Sequence, residues 1–171
     1  MARAVQKRTL ETRARLVKAA EELIAKAGYE ALRVEEIVLR AGVAKGTFFA
    51  HFRDKEALLE QLIGARIDAE LDRIAALPPP GRVDELIEAL MPLVAVMTCE
   101  RYVFDLILRY SGAAAVAEIG PIAQAFGRAN DVLALWLSQG PFRKDISPQL
   151  LSEGVQAFLI QAMALDFCAL H

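Results

Sequence analysis

The apolar positions of this chain recur every three to four residues, and strand-like alternation is absent, so the sequence reads as helix almost throughout. Leu16, Ala20, Leu23, Ile24 and Ala27 share one face of a first helix over about 9–27. Gly28 follows in the place where a helix ends in the left-handed conformation. Val34, Ile37, Val38 and Ala41 mark a short second helix, Gly42-Val43 a turn, and 44–51 a third helix. Asp54 is placed to cap a long fourth helix running to about residue 77, where Pro78-Pro79-Pro80-Gly81 stops it. Further helices are predicted over about 83–98, with a kink at Pro92, and over 100–110, 121–138 and 148–170. Ser111-Gly112, Gly120-Pro121 and Gly140-Pro141 break the chain between them, and Ser147-Pro148 offers an N-cap followed by proline at the first helical position. The expected fold class is all-α, with an N-terminal three-helix head over 1–54, a helical body over 55–171 and about nine helices in all.

Charge changes this picture. The 171 residues carry a net charge of only −2, which argues against a nucleic-acid partner. The average hides a split. Residues 1–55 hold 12 Lys and Arg against 7 Asp and Glu, a surplus of five, whereas residues 56–171 hold 8 against 15, a deficit of seven. A basic end on an acidic body suggests that the basic end meets nucleic acid or a membrane surface. With 55% hydrophobic residues the chain is not disordered, and a chain of this length buries roughly 70% of its unfolded surface without a disulfide or metal staple.

The informative segment is 34–52. Two short helices flank the Gly42-Val43 turn, the layout of a helix-turn-helix whose second helix enters the major groove. Val34, Ile37, Ala41, Val43, Phe48 and Phe52 can share one interior, with Phe48 and Phe52 one turn apart. That leaves Lys45, Thr47, Phe49, Ala50 and His51 outward or along the flanks, while Ala44 and Gly46 are small enough for close backbone approach. Lys45 suits a guanine edge or a phosphate, Thr47 a phosphate or a thymine methyl, and His51 a phosphate. His51 alone also suits a structural cap at the helix end.

Gly28-Tyr29, then Val34, Ile37, Ala41-Gly42-Val43, Lys45-Gly46-Thr47-Phe48, His51-Phe52, Lys55-Glu56 and Leu58-Leu59 resemble the DNA-binding domain of TetR-family (TetR/AcrR type) transcriptional regulators over roughly residues 9–60. The resemblance implies that Thr47, Phe49, His51 and Lys55 touch the DNA backbone, and that Lys45, Gly46 and Ala50 read or approach bases. Three departures stand out. Phe49 replaces a tyrosine whose hydroxyl would bond a phosphate. Ala44 stands where a serine often caps the recognition helix, and Leu32-Arg33 where a threonine often precedes the second helix. Arg33 is positioned to replace a lost contact electrostatically, so Lys and Arg are expected to carry more of the affinity, with a steep salt dependence.

For the body, the resemblance implies a small apolar effector held between helices, with Leu62, Ile63, Arg66, Met91, Val94, Met97, Tyr102, Leu106 and Phe126 as candidates. It also implies a homodimer through the last two helices, carrying Phe126, Ala129, Leu133, Trp136, Val155, Phe158, Ala162 and Met163. Each of these residues equally suits plain core packing. A two-fold dimer matches a palindromic site.

No catalytic set is visible. His51 and His171 have no partner at ligand or triad spacing, and the acid pairs Glu21-Glu22 and Glu35-Glu36 fit solvated helix faces, the latter also favouring its helix dipole. Cys99 and Cys168 lie far apart, so neither a disulfide scaffold nor a zinc site is expected, and Cys99 reads as inert core. Neither a cofactor nor a metal is called for. The charged start Met1–Arg8 has no apolar stretch behind it, and the run Val155–Leu170 is interrupted by Gln156, Gln161 and Asp166, so neither a secretory leader nor a membrane span is expected. The expectation is a cytoplasmic, dimeric regulator, a repressor released from a palindromic operator by an effector. The alternative is a helical dimer that binds a protein or a lipid-like molecule, its DNA face weakened at Ala44 and Phe49. An all-α enzyme would need a perturbed acid or base in the body pocket.

Overall fold

The computed structural model describes residues 2–111 and 119–167. Among them are eight helices and no strand: α1 Ala2–Ala27, α2 Val34–Ala41, α3 Lys45–His51, α4 Lys55–Ala75, α5 Val83–Met97, α6 Arg101–Tyr110, α7 Pro121–Gln139 and α8 Pro148–Asp166. The helix ends fall where local chemistry puts them. Gly28 and Gly42 both take positive φ, 85° and 63°, the conformation that closes a helix without a Cβ clash. The Ser147 side chain accepts the Leu150 N–H at 3.3 Å, so Ser147-Pro148 does open α8. α1 begins seven residues earlier than the apolar pattern predicts, because its first turns are polar and leave no periodic signature. α5 continues through Pro92. Gly112, Cys168 and His171 lie outside the described residues.

The chain divides into two compact units, residues 1–62 and 63–171; α4 begins in the first and continues into the second. In the first unit α1 packs on α2 and α2 on α3. Its core is Leu16, Ala20, Leu32, Ile37, Phe48 and Leu58, each 2% exposed or less. In the second unit α7 and α8 form the most extensive pairing. Ile67, Leu71, Leu106, Ile107 and Ile122 are all but excluded from solvent there. Among the described residues no helix is long and apolar enough to cross a membrane.

Candidate nucleic-acid interface

The turn between α2 and α3 is built by the chain itself. With Gly42 left-handed, its N–H reaches the Leu39 carbonyl at 3.2 Å and the Val43 N–H reaches Val38 at 3.0 Å, which turns the chain into α3. Phe48 and Phe52 then point inward, with ring centroids 5.5 Å apart. Phe49 meets the edge of Phe48 at 5.3 Å yet stays 49% exposed. Ala44, Lys45, Gly46, Phe49 and Ala50 form an exposed strip, with Thr47 and His51 half-buried on its flanks. A Cβ on Gly46 would meet no heavy atom of the chain within 4 Å. The fold itself does not demand glycine there, and the open space suits close approach by a DNA backbone. Ala44 provides no side-chain cap for α3, and Arg33 none for α2.

Two arginines of α1 bracket the recognition helix, and periodicity gave no sign of either. Arg15 donates to the Ala41 carbonyl and, at 3.2 Å, to that of Gly42, holding the turn that leads into α3. Arg13 donates to the His51 carbonyl at 2.7 Å and to Gln61 Oε1 at 2.5 Å, with its guanidinium 4.2 Å from the Phe52 ring centroid. Arg13 thus ties the C-terminal end of α3, and Arg15 ties the turn that precedes it. The only sequence signal was two basic residues flanking Ala14 just before Leu16, in a turn whose apolar face was already assigned. Asp54 accepts the Ala57 N–H at 2.7 Å, the cap expected for α4. Burial pushes the Asp54 pKa up, but the Ala57 N–H and Arg53 outweigh it and hold the carboxyl below its ordinary value.

The basic groups are less free than the charge count implied. Lys55 Nζ donates to the Leu32 carbonyl at 3.3 Å. Arg33, expected to compensate for a lost hydroxyl, donates to the carbonyls of Glu30 at 2.9 Å and Leu32 at 3.1 Å while remaining exposed. Lys45 Nζ lies 2.5 Å from Glu35 Oε1. That contact holds the Glu35 pKa down, chiefly through the hydrogen bond from Lys45.

The second unit holds two apolar spaces. One is a small internal cavity of about 30 Å³, lined by Ile67, Leu71 and Ile74 of α4 with Leu90, Leu93 and Met97 of α5, and by residues of α7 and α8. The other is an open groove of about 870 Å³ between α5 and α8, walled by Val83, Ile87, Met91, Leu150, Val155, Phe158 and Ala162 among others. The effector candidates divide accordingly. Met97 and Phe126 line the cavity and Met91 and Val94 the groove, while Leu62, Ile63, Arg66, Tyr102 and Leu106 line neither. Of the interface candidates, Phe126, Ala129, Leu133, Trp136 and Met163 are buried within the unit. Ala162 and Phe158 are exposed, the latter 82%, and Val155 is half-buried. Gln156, a polar interruption in the α8 pattern, faces the cavity and donates to the Phe126 carbonyl at 3.2 Å. Asn130 donates to Gln156 Oε1 at 3.4 Å, and its own Oδ1 is buried with no hydrogen-bond partner.

Cys99 is exposed rather than core. The partial burial of its thiol pushes the pKa up, against the pull of Arg66, so the thiolate is not favoured. Among the described residues no group of three or more His, Cys, Asp and Glu is arranged to hold a metal ion.

Two short helices about a left-handed glycine, an exposed strip on the second and a buried aromatic pair beneath it make up a helix-turn-helix. Residues 16–62 match the family model of bacterial regulatory proteins of the tetR family. It is 43% identical over 49 residues to the uncharacterized HTH-type transcriptional regulator YerO of Bacillus subtilis, covering 29% of this chain and 17% of that protein. It is 33% identical over 105 residues to the HTH-type transcriptional repressor KstR of Mycobacterium tuberculosis, covering 55% and 48%. The chain thus spans less than half the length of these curated relatives. Among solved structures it is similar to Thermus thermophilus FadR, a TetR-family repressor in complex with lauroyl-CoA. The TM-score is 0.60 at 23% identity, over 89% of this chain and 83% of that one. The fold of the chain is that of TetR-type regulators.

Proposed function

We propose that the chain is a sequence-specific DNA-binding transcriptional repressor, acting as a cytoplasmic homodimer without catalytic activity and released from a near-palindromic operator by a small apolar effector. The observation that carries the reading is the exposed strip within 44–51, held at His51 by Arg13 and in the preceding turn by Arg15, over a buried Phe48-Phe52 pair. In this reading Arg33, Ala44, Lys45, Gly46, Thr47, Phe49, Ala50, His51 and Lys55 face the duplex, residues 1–54 recognise DNA and residues 55–171 bind effector and partner.

The second unit suggests how release works. Its internal cavity is far below the several hundred Å³ of a ligand pocket, so an effector has to widen it and thereby favours an expanded form. Three cavity-lining residues belong to α4, the helix that also begins in the DNA-binding unit, so widening acts on that helix directly. The acyl group carried by the T. thermophilus neighbour makes a long acyl chain the first effector class to try. The exposed Phe158, with Val155 and Ala162 beside it, suits cover by a second copy of the chain.

The test is a fluorescence-anisotropy titration of the chain against a duplex it selects from a random-sequence library, with a scrambled duplex as control, at several salt concentrations. The expected result is a preference of about a thousand-fold or more that weakens steeply with salt and is relieved by an acyl ligand. Equal weak binding to both duplexes refutes the DNA-binding reading. The helical binding-module alternative then takes its place.

A further inference from the structure

An acid of α2 lies against the proposed DNA-facing strip, where a nucleic-acid interface has no obvious use for one. Glu35, the second residue of α2, is exposed, and its Oε1 lies 2.5 Å from Nζ of Lys45, the first residue of α3. Its neighbour Glu36 is also exposed in the same turn, so both acids serve the α2 dipole alike, and only Glu35 has this contact with Lys45. The pair joins the two helices of the reading motif across their turn.

We propose that Glu35 is a specificity-determining residue that holds Lys45 as half of a neutral pair and so keeps it from binding phosphates indiscriminately. The inference rests on the DNA-binding reading above. An ammonium group has three N–H donors. With one donated to Glu35, two remain for O6 and N7 of a guanine, so Lys45 can read a base without leaving its partner. A phosphate contact is different. It brings a full negative charge beside the Glu35 carboxylate, and it requires either repulsion at close range or rupture of the pair. The pair as a whole is neutral, so on random DNA it displaces no condensed counterion. Glu35 therefore penalises non-specific contact and spares the specific one, a repulsive element that sharpens discrimination.

The experiment titrates the wild-type chain and the variants Glu35→Gln, Glu36→Gln, Lys45→Ala and Glu35→Gln/Lys45→Ala against the selected and scrambled duplexes across a salt series. Glu35→Gln is expected to tighten scrambled-duplex binding by about three- to ten-fold and to steepen its log–log salt slope by about 0.9, one additional displaced ion. Affinity for the selected duplex is expected to stay within about three-fold, so the specificity ratio falls. Glu36→Gln is expected to move neither slope, and in the Lys45→Ala background Glu35→Gln adds no more than Glu36→Gln does. The proposal is overturned if Glu35→Gln and Glu36→Gln act alike, if the gain persists undiminished without Lys45, or if Glu35→Gln weakens both duplexes equally. A wild-type chain that fails to discriminate the two duplexes refutes the DNA-binding reading instead, before any variant is compared.

Discussion

The recognition motif of the first unit and the α7–α8 pair of the second are held together by different means. In the first, short helices are fixed by polar contacts aimed at backbone carbonyls: Arg15 on Ala41 and Gly42, Arg13 on His51, Lys55 on Leu32. In the second, α7 and α8 meet chiefly through apolar side chains, with a half-buried Asn130–Gln156 hydrogen bond between them. The difference suits the proposed tasks. A reading helix must be placed to within a fraction of an ångström, and directional hydrogen bonds supply that. An effector domain must yield to a ligand, and non-directional packing around a small void can be rearranged.

The largest expected effect lies in the aromatic pair beneath the reading helix. Phe48 is fully buried against Phe49 and Phe52, so Phe48→Ala should destabilise the first unit by about 3–5 kcal/mol. Chemical denaturation followed by circular dichroism should show an early transition, and binding to the selected duplex should vanish. An unchanged midpoint would mean that the aromatic pair does not anchor α3.

Arg13→Met tests the polar clamp. It keeps the aliphatic stem and removes the contacts to His51, Gln61 and the Phe52 ring, with an expected loss of about 1.5–3 kcal/mol in stability. Affinity for the selected duplex should fall while the salt slope stays as in the wild type, because Arg13 faces carbonyls rather than phosphates. A slope shallower by about one unit would make Arg13 a phosphate contact instead.

The body answers to a substitution that adds an atom. A Cβ at Gly64 would lie 2.8 Å from the Pro121 Cβ and 2.9 Å from its carbonyl carbon. Gly64→Ala should therefore destabilise the second unit by about 1–3 kcal/mol, read as a lowered melting temperature in calorimetry. The same change at Gly127, where nothing lies within 4 Å, should be neutral or mildly stabilising.

The smallest effect is the cap of α4. Asp54→Ala should cost about 0.5–2 kcal/mol. Because the folded carboxyl titrates below its ordinary value of 3.8, its contribution is complete above about pH 4. It is lost as the pH falls through the lower folded value. Wild type and variant should therefore converge in stability toward acid pH, and a difference that persists undiminished there would assign the cap to something other than the ionised carboxylate.

The fold was largely legible in the chain. Gly28, Gly42, the three prolines at 78–80 and Ser147-Pro148 each act on their own backbone, so the helix boundaries they set do not depend on distant partners. α3 was legible for a related reason, since a seven-residue helix with Phe48 one turn before Phe52 at its C-terminal cap has only one face it can bury. In α7 and α8 the pattern was not decisive. Apolar residues occur on several faces of those helices, so nothing local distinguished Trp136 and Met163, which are buried, from Phe158, which is not. Cys99 showed the same ambiguity, sitting next to an apolar run yet exposed.

What the sequence determined by itself was thus the set of elements and the composition of the exposed strip on α3, because caps, turns and helical periodicity are interactions between residues a few positions apart. Only the tertiary structure decided where the charges go. Arg13 reaches His51 and Gln61, Arg15 reaches Ala41, and Lys45 reaches Glu35, partners separated by 10 to 48 positions. A long flexible side chain selects its partner by distance in space, and that distance does not exist until the helices have packed.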